Sequence, residues 1–187
     1  MPLNIPNLLT WARILLIPVV VGVFYLPLTA AEQNILATGA FLVAAITDWI
    51  DGWLARKLNQ TSAFGAFLDP VADKLMVAAA LVMLVELNRA DAILAFIIIG
   101  REIAISALRE WMARIGAGRS VAVSLIGKLK TIAQMTAIPM LLWNMPLGPV
   151  DVHLLGPWSL WIAVVLTLWS MVYYLQKAWP EISARSR

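Results

Sequence analysis

Residues 33–87 read QNILATGAFLVAAITDWIDGWLARKLNQTSAFGAFLDPVADKLMVAAALVMLVEL. Two apolar runs, over 33–57 and 68–87, flank a short polar segment, and each is close to the roughly 20 residues that a membrane-spanning helix needs. Four aspartates stand near the polar segment, although a charge inside the bilayer is costly and therefore marks a functional site. The stretch predicts two antiparallel membrane helices with such a site where they join.

The rest of the chain repeats this pattern of apolar runs. Of 187 residues, 61% are hydrophobic, 13% are charged and none is cysteine. A water-soluble domain of this size cannot bury so much apolar surface, and thiol chemistry and cysteine-ligated metal sites are excluded. We expect one all-α membrane domain over residues 1–187, with six transmembrane helices around a polar cavity open to the cytoplasm: 5–27, 33–57, 68–87, 91–114, 121–143 and 157–178.

The positions of lysine and arginine predict the orientation of these helices. One side of the predicted bundle carries Arg56, Lys57, Arg114 and the basic C-terminal tail in its interhelical joints. The joints on the other side carry only Arg89. This asymmetry predicts that both termini are cytoplasmic. No charge precedes Arg13, so we expect the first helix not to be a cleaved secretory signal. The basic residues are dispersed between apolar runs and form no solvated stripe, which argues against nucleic-acid binding.

The four aspartates form two pairs at helical spacing. Asp48 and Asp51 stand at i and i+3 of the second helix, and Asp69 and Asp73 stand at i and i+4 of the third. The short connection lets all four carboxylates meet, where they would repel one another unless cations neutralised them. Two divalent ions balance four carboxylates. A site of oxygen ligands indicates Mg²⁺ or Mn²⁺, with Ca²⁺ as a surrogate, and suits phosphoryl transfer.

Small residues and an arginine continue the same helical face. Gly52 and Ala55 leave room for a bulky group against the backbone, and Arg56 can bind a phosphate. The order is Asp48-Trp-Ile-Asp51-Gly52-Trp-Leu-Ala55-Arg56, eight residues, Gly65, three residues, Asp69, three residues, Asp73. This pattern resembles the signature of the CDP-alcohol phosphatidyltransferase family and matches it at every specified residue and spacing.

The resemblance implies a reaction and a role for each matched residue. An alcohol attacks the phosphorus that carries diacylglycerol in CDP-diacylglycerol, and CMP leaves. Asp48, Asp51 and Asp69 resemble metal ligands, and Asp73 resembles both a metal ligand and the general base. The residues that resemble the family's donor-binding positions are Asn7, Thr10, Arg13, Asp48, Gly52, Ala55, Arg56 and Gly65. The resemblance also implies a homodimer, and we expect a bacterial inner-membrane protein with a cytoplasmic active site.

The acceptor alcohol is predicted from further cations in the fourth and fifth helices: Arg101, Arg109, Lys128 and Lys130. A neutral alcohol would not need so many, whereas glycerol 3-phosphate would, and these segments also resemble the glycerophosphate branch of the family. Lys128 and Lys130 lie about 200° apart around a helix, so we expect only one to face the cavity. Glu102 or Glu110 is expected to pair with a neighbouring cation.

Other functions remain open at this point. Within the same chemistry, the acceptor could be an inositol phosphate, or phosphatidylglycerol as in a cardiolipin synthase. A cation transporter could also hold intramembrane aspartates, but it would need polar residues through the outer half of the bundle, where charge is nearly absent. A structural scaffold would tolerate Asp→Asn changes at the four aspartates, whereas an enzyme would not.

Overall fold

The computed structural model describes the backbone of residues 5–58, 63–121, 124–149 and 151–185. Within these ranges, it does not describe the side chains of residues 5–7, 51–56, 58, 63, 64, 66, 119 and 185. The described residues fold into six α-helices, as predicted. These are α1 (Ile5–Gly22), α2 (Ala30–Leu58), α3 (Ala63–Glu86), α4 (Ala92–Arg114), α5 (Leu125–Trp143) and α6 (Val152–Arg185).

The helices begin where polar side chains satisfy free backbone N–H groups. Before α2, the Thr29 hydroxyl accepts a hydrogen bond from the Glu32 N–H at 3.3 Å, and the Glu32 carboxylate accepts one from the Thr29 N–H at 2.9 Å. This reciprocal arrangement is a capping box. Asp91 caps α4 and Ser124 caps α5. In each case a side-chain oxygen accepts a hydrogen bond from a backbone N–H in the first turn of the helix.

Several helix boundaries differ from the predicted ones. The capping box starts α2 three residues earlier than expected, and α3 begins at Ala63, so that Gly65 lies inside a helix. The fifth helix starts later, at Leu125, because residues Gly118–Val121 form a 3₁₀ turn. The sixth is longer at both ends, with 34 residues, and it contains Pro157 and Pro180 within the helix.

The packing places α1 and α5 against the pair that carries the aspartates. Both α1 and α5 contact α2 and α3, whereas α2 and α3 contact each other only briefly. The fourth helix packs on α3 and α6, and α5 packs along α6. A large apolar core that includes Val20, Phe41, Leu81, Ile98 and Leu142 joins the helices, and a smaller core surrounds Met112 and Tyr174.

The surface and the helix lengths fit a protein that lies in a membrane. Many large apolar side chains are exposed, among them Phe96 and Trp169. Among the described residues, three segments are long and apolar enough to cross a bilayer: Leu8–Tyr25, Ala30–Ile50 and Val152–Ala184. The other three helices carry most of the charges that the sequence places in apolar runs, which lowers their hydropathy. The six-span topology therefore stays a prediction.

Arg89, the exceptional cation among the joints predicted to be outside, connects the turn after α3 with the end of α5 and with the 3₁₀ turn that follows α1. Its Nη1 donates to the main-chain carbonyls of Leu141 and Leu142 at 3.4 and 3.0 Å, at the C-terminal end of α5. Its Cζ lies 5.7 Å from the Phe24 ring centroid. Burial lowers the pKa of Arg89 from its ordinary value. This position gives the cation a structural role, since a positive charge is favourable at a helix C-terminus.

Candidate active site

A cavity of about 380 Å³ lies among α1, α2, α3 and α5. Among the side chains that the structure describes, the charged and hydroxyl groups of its lining are those of Arg13, Asp48, Asp73 and Thr131. The remaining walls are mostly aliphatic, aromatic and methionine side chains, including Phe41, Leu42, Ile46, Met76 and Met135. The cavity therefore combines two carboxylates and a guanidinium with apolar walls, a combination suited to a ligand that is charged at one end and apolar at the other.

The first helix contacts two of the carboxylates that were predicted to bind metal, Asp48 and Asp69. Arg13 is only 1% exposed, and its Nη1 lies 2.6 Å from Asp48 Oδ1. One turn earlier, the Thr10 hydroxyl donates to Asp69 Oδ1 at 2.5 Å. Thr10 and Arg13 were predicted as donor contacts. In this structure Arg13 neutralises Asp48, and the Thr10 hydroxyl orients Asp69. A charge-assisted bond of this kind also fixes a side chain's direction.

The structure brings together part of the predicted carboxylate site. Asp48 and Asp73 line one cavity, while Asp69 lies beside Thr10. Among the side chains that are described, no three or more His, Cys, Asp or Glu residues are close enough to hold a metal ion. Gly65 is buried in α3. Five predicted site residues have side chains or positions outside the described residues: Asn7, Asp51, Gly52, Ala55 and Arg56.

The predicted acceptor residues separate into a buried group and an exposed lysine. Lys130 is 4% exposed, and its Nζ donates to Glu102 Oε1, which also lies 3.5 Å from Arg101 Nη1. Lys128 is exposed on α5, so the two lysines differ in burial, but neither lines the cavity that one of them was expected to face. Arg101 and Lys130 do not line the cavity itself, although Lys130 precedes Thr131, which does.

Both glutamates of α4 pair with cations, as expected. Glu102 pairs with Lys130, and Glu110 Oε1 lies 2.6 Å from Arg114 Nη2, one turn further along the helix. The two pairs differ in burial: the Lys130 and Glu102 side chains are 5% and 17% exposed, whereas those of Arg114 and Glu110 are 75% and 65% exposed. Only the first pair lies in a low-dielectric environment, where its charges interact strongly.

Sequence reasoning missed the contribution of α6. Arg101 Nη2 donates to the Ser170 hydroxyl at 3.0 Å, and the guanidinium carbons of Arg101 and Arg109 lie 5.7 and 4.7 Å from the Tyr174 ring centroid. Ser170 and Tyr174 are completely buried. A signal was present, because Thr167, Ser170 and Tyr174 stand at i, i+3 and i+7 and so share one face of an otherwise apolar helix. The buried group of cations is therefore held by three helices.

Comparison with known proteins adds independent information. The family model described as CDP-alcohol phosphatidyltransferase matches residues 3–169. The chain is also 52% identical over 184 residues to proteins of Shigella flexneri serotype 5b (strain 8401) and Escherichia coli (strain K12). The alignments cover 97% of this chain and 98% of each relative. Both relatives are named CDP-diacylglycerol–glycerol-3-phosphate 3-phosphatidyltransferase.

Proposed function

The chain belongs to the CDP-alcohol phosphatidyltransferase family, and from this premise we propose that it transfers the phosphatidyl group of CDP-diacylglycerol to glycerol 3-phosphate. The products are phosphatidylglycerophosphate and CMP. The observation that carries the proposal is the cavity in which Asp48 and Asp73 meet beside the buried Arg13, with apolar walls around them. The names of the relatives, matched over nearly their full length, support the same reaction.

The carboxylates would hold two divalent cations, Mg²⁺ or Mn²⁺. Asp48 and Asp73 share a cavity, and an all-oxygen ligand set suits these hard ions. Asp51 and Asp69 complete the proposed ligand set. When bound, the ions neutralise phosphate oxygens and favour attack by a hydroxyl oxygen.

The chain's own residues perform the proton transfer and the orientation. Asp73 takes the proton from the acceptor hydroxyl as a general base. The hydroxyl oxygen then forms a bond to the phosphorus that carries diacylglycerol, and the bond from that phosphorus to the CMP oxygen breaks. Thr10 orients Asp69 through its hydroxyl, and Arg13 keeps a positive charge beside Asp48. A fixed positive charge at this point also stabilises the negative charge that develops on the leaving phosphate.

The donor and the acceptor occupy different sides of the site. The residues proposed for the cytidine diphosphate part are Asn7, Thr10, Arg13, Asp48, Gly52, Ala55, Arg56 and Gly65. The residues proposed for the acceptor phosphate are Arg101, Arg109, Lys128 and Lys130, of which Lys130 and Arg101 are buried together. The acyl chains extend into the bilayer, which explains why the enzyme is a membrane protein. We place both termini and the site on the cytoplasmic side of a bacterial inner membrane, in a homodimer.

The direct test is CMP release by detergent-purified protein supplied with CDP-diacylglycerol and Mg²⁺. We expect release that requires glycerol 3-phosphate and that falls about 10²- to 10⁴-fold in Asp73→Asn, the usual effect of losing a general base. Asp91→Asn is the matched control, since Asp91 caps α4 and asparagine caps a helix equally well. Wild-type protein that releases no CMP, or an Asp73→Asn variant as active as wild type, would overturn the proposal.

A further inference from the structure

Tyr174 lies against two of the cations that we assign to the acceptor phosphate, Arg101 and Arg109. Arg101 and Arg109 lie two turns apart on α4, about 12 Å along the helix axis. Even so, both guanidinium carbons are within 5.7 Å of the Tyr174 ring centroid. An aromatic face attracts a guanidinium group through its quadrupole, and more strongly when water is excluded. A single ring therefore draws together two cations that would otherwise repel each other.

The hydroxyl end of Tyr174 fixes the ring in place. The Ser124 N–H donates to the tyrosine oxygen at 2.9 Å, and the Ser124 hydroxyl lies 3.1 Å from the same oxygen. Ser124 is also the N-cap of α5. A Cβ added at Gly127 would lie 2.8 Å from the tyrosine oxygen, so the fit on that side is tight. The ring thus has one position relative to the start of α5, the helix that carries Lys130.

The two arginines still have donors that the described part of the protein does not satisfy. The Nε atoms of Arg101 and Arg109 are buried and have no hydrogen-bond partner among the described residues. Arg101 is only 6% exposed, and leaving a donor of a charged group buried and unpaired is costly. An anionic ligand with several acceptor oxygens would satisfy both arginines, and a phosphate has this chemistry.

We propose that Tyr174 is a positioning residue for the acceptor phosphate: its ring holds Arg101 and Arg109 in the arrangement that binds the phosphate of glycerol 3-phosphate. This inference rests on the proposed function and adds to it a residue of α6 that was not among the predicted site residues. Tyr174 does not contact the reacting atoms. It acts through the two guanidinium groups, so its loss should weaken binding of the acceptor and leave binding of the donor unchanged.

The test compares KM values for the two substrates in purified variants. We expect Tyr174→Leu, which removes the ring, to raise KM for glycerol 3-phosphate about tenfold and to leave KM for CDP-diacylglycerol unchanged. Tyr174→Phe keeps the ring but loses the bonds to Ser124, so it should raise KM for glycerol 3-phosphate by a clearly smaller factor than Tyr174→Leu does. Tyr25→Leu is the matched control, because Tyr25 is 71% exposed and makes neither of the two arginine contacts of Tyr174. Should Tyr174→Leu not fold, Tyr174→Met provides the same comparison with a larger apolar side chain.

The outcomes separate this inference from the proposed function. If wild-type protein releases no CMP with glycerol 3-phosphate, the proposed function fails. If wild type is active but KM for glycerol 3-phosphate is the same in wild type and in the variants without a ring, the role of Tyr174 is wrong and the reaction stands. The role of Tyr174 would also be wrong if the variants raised KM for both substrates equally, or if KM for glycerol 3-phosphate rose by the same factor in Tyr174→Phe and Tyr174→Leu. Either result would indicate a general structural role.

Discussion

Glu102→Gln tests whether one buried carboxylate stabilises the cationic group that we assign to the acceptor. Glu102 is 17% exposed at its side chain and contacts Lys130, whose side chain is 5% exposed. Arg101 Nη1 lies 3.5 Å from the same oxygen. Glutamine keeps the shape but removes the negative charge, so that two buried cations lose their counter-ion. Breaking a buried pair in this way costs about 3–5 kcal/mol.

The assay is the thermal midpoint of unfolding in detergent. For a chain of this size, each kcal/mol shifts the midpoint by roughly 2–4 °C, so we expect Glu102→Gln to lower it by about 6–20 °C. Glycerol 3-phosphate should raise the midpoint of this variant more than that of wild type, because its phosphate replaces the missing negative charge.

Glu110→Gln is the matched control for this prediction. Glu110 pairs with Arg114 at the surface, where both side chains are more than half exposed. Exposed pairs one turn apart contribute about 0.3–0.5 kcal/mol, so the midpoint should fall by less than about 2 °C. The double variant Glu102→Gln/Lys130→Met should recover part of the lost stability, since it removes one of the two uncompensated charges. A Glu102→Gln midpoint within about 2 °C of wild type would refute the reasoning.

Three further substitutions test other contacts. Thr10→Val removes the hydroxyl that bonds Asp69 and should raise the Mg²⁺ concentration for half-maximal CMP release about 10- to 100-fold, the usual effect of losing a partner of a metal ligand. Gly127→Ala places a methyl group 2.8 Å from the Tyr174 oxygen and should raise KM for glycerol 3-phosphate without changing KM for CDP-diacylglycerol. Arg89→Met removes hydrogen bonds from a charged donor and should lower the melting midpoint, at a cost of about 1.5–3 kcal/mol, with both KM values unchanged.

Each of these substitutions has its own control or contradicting result. Thr10→Ser keeps the hydroxyl and should keep the Mg²⁺ dependence, and a similar shift in Thr10→Val and Thr10→Ser would count against an orienting role. Gly39→Ala meets nothing within 4 Å of the added methyl group and should leave KM unchanged. For Arg89→Met, an unchanged midpoint would show that capping of α5 contributes no stability.

The helices and the carboxylate site were predictable from the sequence because both follow from local patterns. Apolar runs of span length predicted all six helices, and Asp48 and Asp73 were expected to meet because the connection between α2 and α3 is short. The structure places both in one cavity. The contacts of α1 were predicted only in part. Thr10 and Arg13 were identified as functional, but their bonds to Asp69 and Asp48 depend on how α1 packs against α2 and α3.

The arrangement of the cations could not be predicted in the same way. Helical geometry predicted that only one of Lys128 and Lys130 faces the cavity. Lys130 is the buried one, but it pairs with Glu102 and does not line the cavity, because the rotation of α5 in the bundle sets its direction. Tyr174 is separated from Arg101 by 73 positions along the chain, so its contact with the arginines is a tertiary one. The side chain of Asp51 is not described, so the assembly of all four carboxylates remains a prediction.

The most direct measurement of the proposed reaction is the mass of the lipid product formed when acceptors compete. Purified protein receives limiting CDP-diacylglycerol, Mg²⁺ and equal concentrations of glycerol 3-phosphate, an inositol phosphate and phosphatidylglycerol, and the lipids are identified by mass spectrometry. We predict phosphatidylglycerophosphate in an amount equal to the CMP released. A product that carries inositol phosphate, or cardiolipin formed from phosphatidylglycerol, would contradict the assignment of glycerol 3-phosphate as the acceptor.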